Sequence, residues 1–508
     1  MPRINNNFTT SKEAISQMTL IQKQIYLKKL FGYDTLMNVE RKQLIERQVG
    51  TNLVGVQGPN RLHLPLVRLS FPSSSEYNML GLFRPRRSII SYLSTERRLY
   101  IKQNNEQKLT VLSEKIQSAI NFLQNPTNCS NASILVCPMD GPDWGFGFLI
   151  HQICYCFLFS IVSGRTLILN NENAKLYKFN VKWNELFMPI TNCNYAEHAM
   201  PFQPLKEYID KNDTDRILVF HPREKVVKRG FDVSPIELKT FLLKYHSNPT
   251  LWFRGQLIKY IWKENELTLN ATNQSVSRIP FDCGPVVGIH VRRTDKISEA
   301  KFFNLEEYMT WIDFWFDVVW GHNHSESVHP NCTNRRMLFI AADLPILKDI
   351  VEETKNKWGG RYEVYHGIFN TQNDSKEAFT EILAVFRILA KCQFIVCTFS
   401  SNACQLVYEL MQVYQGDAVE NIHSLDYIYE MNKELEATTE YKPPQEHPIM
   451  PEELWAEKED VIEALSPIHQ DGFIRAKNYR SEKEGNFPMY LLKKHLKFEN
   501  FSIFANIQ

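Results

Sequence analysis

The 508 residues carry 58 Lys and Arg against 57 Asp and Glu, a net charge of +1, so counterion-release binding to nucleic acid or to an anionic membrane surface has no basic excess to draw on. Hydrophobic residues make up 44% and charged residues 23%, the composition of a folded soluble protein, and the length exceeds what one hydrophobic core usually supports, so two to four domains are expected. Any anion site must therefore be local.

The first ten residues, M-P-R-I-N-N-N-F-T-T, hold no apolar run, and neither a signal peptide nor a signal anchor is visible in them. Ten cysteines and the N-x-S/T sequons at Asn128, Asn131, Asn270, Asn273, Asn331, Asn373 and Asn500 nonetheless lean towards a secretory lumen, where disulfides persist. The two observations agree if an amino-terminal anchor is missing from this sequence or is unusual; otherwise the sequons are chance. Residues 1–75 read as a helical stem and loop: Ile15, Met18, Ile21, Ile25 and Leu30 recur at roughly helical spacing, and V-Q-G-P-N and F-P-S-S-S follow. A helical segment is expected over 76–125, with F-R-P-R-R at its solvated start and L-Q-N-P-T-N-C at its end.

An α/β lobe is expected over 126–284. Ile134, Leu135 and Val136 form a strand, and C-P-M-D-G-P-D-W-G-F-G-F turns through Gly145 and Gly147 into an apolar helix at 148–163. Phe146 to Leu169 is interrupted by His151, Gln152, Ser160 and Arg165, which favours a buried helix followed by a strand over a membrane span. A glycine turn at a helix amino terminus exposes N–H groups that bind phosphate; it serves equally as a plain structural turn, and both readings stand. Strands follow at 166–169 and 217–221. D-T-D at 213–215 precedes R-I-L-V-F instead of following a strand, so it reads as a solvated loop and not as a metal-binding D-x-D.

The alternation restarts at 285. Strands are expected at 286–291, 337–341, 362–365 and 394–398, with helices at 305–320, 345–358, 376–391 and 402–415, giving a second, Rossmann-like lobe over 285–430 and a cleft between the two lobes. Residues 431–450 are charged and proline-bearing, a linker, and 451–500 carry short strands at the spacing of a small barrel.

The chemistry concentrates at V-V-G-I-H-V-R-R-T-D-K-I-S-E-A, residues 286–300. A short strand ends in Arg292, Arg293, Asp295, Lys296 and Glu299, at the edge where open α/β sheets bind ligands. Two guanidiniums beside an ammonium and two carboxylates suit a multiply charged anion with an acid/base group next to it. A surface ion-pair network is the competing reading of the same residues.

H-V-R-R-T-D-K, together with L-Q-N-P-T-N-C, G-F-G-F-L-I-H-Q-I-C-Y-C-F, R-T-L-I-L, V-C-T-F-S-S-N-A-C and the carboxyl-terminal barrel, resembles the α1,6-fucosyltransferases that core-fucosylate N-glycans and their rhizobial nodulation relatives, collinearly over residues 80–500. The resemblance implies a helical stem, a two-lobed GT-B-like catalytic region and an SH3-like β-barrel in a Golgi type II membrane protein. It implies inverting transfer of L-fucose from GDP-β-L-fucose to O6 of the innermost GlcNAc of N-glycans, with no metal and no cofactor. By the same resemblance His290, Arg292, Arg293, Asp343, Ser400 and Ser401 hold the donor, with Gly145 and Gly147 as further phosphate donors. Glu299, Lys296, Arg292 and Asp295 do the catalysis, and Tyr308 and His469 meet the acceptor. Disulfides Cys129–Cys193, Cys137–Cys156 and Cys397–Cys404 follow from it too. Cys154, Cys283, Cys332 and Cys392 are left over and read as packed thiols, without the spacing of a zinc site. The stem suggests a homodimer, and no nucleic acid is expected as partner.

Three positions depart from the family. Two residues instead of three separate Lys296 from Glu299, Leu344 stands where a second aspartate is usual, and Val385 replaces an aspartate that hydrogen-bonds guanine, with Glu381 one helical turn earlier as a substitute. These departures support an alternative, a catalytically impaired relative kept as a glycan-binding or scaffolding protein. The barrel offers no aromatic groove for proline-rich peptides, because Ser466 and Pro467 follow Ala464 and Leu465, and Phe473 and Ile474 stand where tryptophans would.

Overall fold

The computed structural model describes residues 95–138, 145–170, 181–199, 214–220, 233–293, 301–320, 332, 335–367, 375–426, 429, 434–443, 451–466 and 472–505. The expectations for residues 1–75 and for Asp295, Lys296, Glu299 and His469 lie outside them. The described residues of Lys102–Tyr308, Ser327–Tyr429 and Leu496–Gln508 form one compact unit, and those of Met1–Ile101, Met309–Glu326 and Glu430–His495 belong to the other.

The first unit is mixed α/β. It takes in α1 (Thr95–Gln124) from Lys102 onward; Leu109, Leu112, Ile116 and Ile120 of that helix are buried at a spacing of three or four residues, one stripe of a 3.6-residue period. Strand β1 (Ile134–Pro138), helix α2 (Phe146–Val162), β2 (Thr166–Asn170) and β3 (Ile217–Val219) follow. The three strands are parallel in the order β2-β1-β3. After β4 (Val233–Pro235) come α3 (Pro249–Ile261) and α4 (Glu266–Val276). Asn248 caps α3 by accepting from Leu251 N, and Pro249 opens its first turn. Twelve of its thirteen residues are buried, as expected of a helix apolar on nearly every face.

The second sheet is built from β5 (Val286–Val291), α5 (Leu305–Phe314), β6 (Arg336–Ala342), α6 (Leu344–Trp358), β7 (Tyr362–His366), α7 (Lys376–Lys391), β8 (Phe394–Cys397), α8 (Asn402–Gln415) and β9 (Ile422–Ser424). Its five strands are all parallel, in the order β7-β6-β5-β8-β9. Val286, Val287, Ile289 and Val291 of the central strand are fully buried, the near-continuous apolar run of a strand covered on both faces. The helix expected over 305–320 is α-helical only to Phe314 and continues as a π-helical stretch, Trp315–Trp320.

Helix α8 is approached closely from two sides. A Cβ on Gly147 of α2 would lie 2.8 Å from the carbonyl of Asn402, and one on Gly255 of α3 would lie 2.8 Å from the carbonyl oxygen of Glu409. Both glycines are therefore required by helix packing. Phe146 fills the neighbouring space, meeting Phe379 and Trp262 edge-on with ring centroids 4.9 and 5.3 Å apart.

The structure contains disulfides Cys129–Cys193, Cys137–Cys156 and Cys397–Cys404, and a fourth, Cys283–Cys332. The fourth corrects the expectation of packed thiols at both of its positions. Val286 pairs with Met337 in parallel register, so the two cysteines, each a few residues before its strand, meet at the amino ends of β5 and β6. Cys154 and Cys392 stay as buried thiols, and burial raises the Cys392 thiol well above the ordinary range.

In the second unit, β10 (Glu434–Ala437), β11 (Val461–Ala464), β12 (Phe473–Asn478), β13 (Glu484–Pro488) and β14 (Leu492–Lys494) form an antiparallel sheet in the order β13-β12-β11-β10-β14. Residues 434–437 fall in the expected linker but pair with both β11 and β14. Their E-L-E-A sequence alternates, with Leu435 and Ala437 buried. The following strand, β15 (Lys497–Glu499), pairs in parallel with β4 in the first unit's own sheet system, and Phe501 and Phe504 pack on Phe253 with centroids 5.4 and 5.8 Å away. Among the described residues no helix is long and apolar enough to cross a membrane.

Candidate functional site

Strand order dictates where a ligand can bind the five-stranded sheet. From β5 the chain runs outward through β6 and β7 on one side, then returns to lay β8 and β9 on the other, so the crossovers diverge between the carboxyl ends of β5 and β8. That divergence opens a crevice in an open parallel sheet. Its walls are His290 within β5, Arg292 and Arg293 just after that strand, Asp343 after β6, and Thr398–Ser401 after β8.

Asp343 organises the β5 side. One carboxylate oxygen pairs with the Arg292 guanidinium, and the other accepts from the Arg293 backbone N–H at 3.2 Å. The Asp343 side chain is 9% exposed and that of Arg292 29%, so the guanidinium is held at its base while part of it faces outward. This is the arrangement of an anion ligand oriented by a carboxylate behind it. The Arg293 guanidinium donates to Phe303 O at 2.8 Å and covers the Phe302 ring at 4.4 Å. It thereby joins the two flanks of the segment 294–300.

His290 is neutral. Burial lowers its imidazole to about 4, with the Arg292 charge acting in the same direction and Asp343 opposing. Its Nδ1 is buried without a hydrogen-bond partner among the described residues. A buried polar atom left over in this way calls for a partner that a ligand or water can supply.

The β8 side is a rigid turn carrying hydroxyls. Phe399 N donates to Ser424 Oγ at 3.0 Å, Ser400 N to Asp426 Oδ1 at 3.3 Å, and Gln405 Nε2 to Phe399 O at 2.7 Å. The Cys397–Cys404 bond spans the same turn. Ser400 Oγ is buried with no partner among the described residues. Ser401 is the N-cap of α8 and makes no side-chain cap bond, so its hydroxyl leaves the start of that helix uncapped. Sequence reasoning missed Ser424 and Asp426, which hold the turn; Ser424 ends β9, a strand too short to stand out by pattern, and Asp426 lies two residues beyond it.

The remaining expected positions fall out differently. Tyr308 is 1% exposed, and burial raises its phenol above the usual range while the charges of Arg293, Asp426 and Asp343 act on it; it belongs to the floor of this region. Gly145 is the N-cap of α2, with open space around it, whereas Gly147 faces Asn402, so its missing side chain serves the helix contact. Val385 packs near Gly367, where a Cβ would lie 3.0 Å from its methyl. Glu381 accepts from Ser275 at 2.7 Å and from Arg278 at 2.8 Å.

The crevice thus combines one oriented guanidinium, a neutral imidazole, two serine hydroxyls and an uncapped helix start. That set suits a nucleoside diphosphate group.

Residues 82–430 match the family of alpha-(1,6)-fucosyltransferase N- and catalytic domains. The alpha-(1,6)-fucosyltransferase of Caenorhabditis elegans is 30% identical over 398 residues, which are 75% of this chain and 67% of that protein. That of Drosophila melanogaster is 28% identical over 410 residues, 78% of this chain and 62% of that protein. The chain thus spans about two thirds of the length of these curated relatives. A crystal structure of the NodZ alpha-1,6-fucosyltransferase soaked with GDP-fucose covers 55% of this chain and 92% of its own, at 11% identity and a TM-score of 0.33. With the family's catalytic region matched over more than half of its length and the nematode relative at 30% identity, this chain belongs to the alpha-(1,6)-fucosyltransferase family.

Proposed function

We propose that this protein transfers L-fucose from GDP-β-L-fucose to O6 of the innermost GlcNAc of N-glycans, with inversion at the anomeric carbon. The observation that carries the reading is the crevice between β5 and β8, with Arg292, backed by Asp343, after β5 and the Ser400 hydroxyl, buried without a partner among the described residues, after β8. In the reaction the acceptor O6 bonds to the fucosyl anomeric carbon as the bond from that carbon to the diphosphate oxygen breaks, leaving GDP. Charge builds on the leaving diphosphate. Arg292, the hydroxyls of Ser400 and Ser401 and the first N–H groups of α8 are suited to stabilise it. The neutral His290 imidazole is assigned to the nucleoside part.

The acceptor hydroxyl is a poor nucleophile until its proton is removed. Glu299 is assigned as that base, with Lys296 and Asp295 beside it in the segment 294–300, whose flanks Arg293 joins. Neutralisation of the diphosphate is assigned to protein groups, so the transfer is expected to run without a divalent metal. Tyr308 and His469 are assigned to the acceptor side, residues 451–500 to an SH3-like barrel, the helical stem to dimerisation and the enzyme to the Golgi lumen, an oxidising setting in keeping with the disulfides.

The test offers the purified protein a biantennary N-glycan with GDP-fucose, then with other GDP- and UDP-sugars, with and without chelator. A mass gain of one deoxyhexose, unaffected by chelator, is the expected result. Binding of the glycan without transfer from any donor would replace the reading with that of a non-catalytic glycan-binding relative, which the packing of Val385 at Gly367 and the engagement of Glu381 by Arg278 would then explain.

A further inference from the structure

Behind the crevice lies a buried ionic cluster that the chemistry above does not use. His151, on α2 one turn past Gly147, places Nε2 2.8 Å from Glu409 Oε2 and Nδ1 3.2 Å from Asn402 Oδ1. Glu409 is fully buried in α8, and its other oxygen accepts from Tyr429 at 2.6 Å and from Arg254 of α3 at 3.4 Å. Arg254 also donates to Tyr429 at 2.9 Å. The cluster therefore ties α2, α3 and the segment after β9 to one carboxylate in the middle of α8.

Burying such a cluster is costly, and an apolar replacement of the same volume often stabilises a fold as well or better. Its position suggests what it is for. Asn402 is the first residue of α8 and directly follows Ser400 and Ser401. The backbone of Asn402 is the surface on which Gly147 rests, and its side chain is held by the imidazole that Glu409 orients. The start of α8 is thus fixed by a glycine contact beneath its backbone, by the disulfide from Cys397 to Cys404, and by the His151 bond to Asn402.

We infer that His151 and Glu409 are positioning residues for the nucleotide-sugar donor: through Asn402 they set the place of the Ser400–Ser401 turn and the helix start that receive the diphosphate. The inference rests on the reading that this turn binds the donor. Burial tends to raise the Glu409 carboxyl, but His151, Arg254 and Tyr429 outweigh it and hold the carboxyl below its ordinary range, so the anchor stays ionised across the neutral range.

Asn402→Ala is the more local probe, since it removes the link while Glu409 keeps its bonds to His151, Arg254 and Tyr429; His151→Gln tests the relay itself. For each variant one measures KM for GDP-fucose, KM for the glycan acceptor, kcat and Tm. The expected result is a donor KM raised roughly tenfold, that is about 1.4 kcal/mol at 25 °C, with the acceptor KM unchanged and Tm for Asn402→Ala unchanged. The same substitutions are then made in a Ser400→Ala/Ser401→Ala background, where their effect on the donor KM should largely vanish, because the groups they position are gone. If the double serine variant alone leaves the donor KM unchanged, the donor reading of the turn fails. If it raises the donor KM but Asn402→Ala and His151→Gln do not, or if they lower Tm and the active fraction only, the cluster is structural and the inference is overturned.

Discussion

The molecule solves the same electrostatic problem in opposite ways at two places. In the antiparallel sheet, Asp460 accepts from Arg480 Nε at 2.7 Å and Nη2 at 2.8 Å, from Asn478 at 2.7 Å and from the Glu457 backbone at 2.8 Å. The guanidinium also lies over the Trp455 ring at 4.8 Å. Every bond is answered within the fold, and the Asp460 carboxyl is held at about 2, chiefly by its hydrogen bonds with Arg480. At the carboxyl edge of the parallel sheet, Asp343 likewise holds an arginine, but His290 Nδ1 and Ser400 Oγ beside it find no partner among the described residues. A closed set of charges serves stability, whereas a set with members left over is built for something that arrives.

If that contrast is right, substitutions at the two places should fail in different measurements. The largest effect is expected for Glu299→Gln, which should lower kcat by ~10²–10⁴-fold while GDP binding measured by calorimetry stays close to that of the parent; near-normal turnover would remove Glu299 from the role of base. Next comes Asp343→Asn. It loosens Arg292, and a charged hydrogen bond worth about 1.5–3 kcal/mol translates into a fall of roughly 10–100-fold in kcat/KM for the donor, with little change in Tm. An unaltered donor kcat/KM would make the Arg292–Asp343 pair a surface ornament of the sheet edge.

Gly147→Ala sits between the two regimes. Its methyl would press on the Asn402 backbone at 2.8 Å, and overpacking of this kind costs about 1–3 kcal/mol, to be read as a lower denaturant midpoint. The smallest effect belongs to the barrel corner. The folded Asp460 carboxyl lies below its ordinary 3.8, so its contribution is present above that value and disappears as pH falls from about 4 towards about 2. Because the Arg480 side chain is 41% exposed, the contribution is on the order of 1 kcal/mol. Acid unfolding followed by tryptophan fluorescence should be shallower between those pH values in Asp460→Asn, and an identical profile would show the corner to be neutral.

Much of the parallel sheet could be read directly from the chain, because its strands are short apolar runs and its helices carry a 3.6-residue stripe; α7 and α8 start and stop where the pattern predicts. What escaped were features set by non-local partners. Cys283 and Cys332 are 49 residues apart and meet only because β5 and β6 are parallel neighbours. Strand β10 was hidden by two glutamates that alternate with its buried residues. Arg293 looks like its neighbour Arg292 in sequence, and only the fold reveals its contacts with the ring of Phe302 and the carbonyl of Phe303. At Gly147 a glycine at a helix start suggests a phosphate, and only the approach of α8 reveals the helix contact.

The return of the chain through β15 changes what kind of object the antiparallel sheet is. A module hung on the end of a polypeptide can be lost by a stop codon or a single proteolytic cut, and its host survives intact. Here the segment beyond β14 supplies a strand beside β4 and two phenylalanines against Phe253. The antiparallel sheet is in effect an insertion in the chain of the first unit, with a covalent connection at each side. Evolution or an engineer wishing to discard it would have to excise it internally and rejoin the ends, since shortening the chain from its carboxyl terminus removes part of the host's core before it reaches the guest.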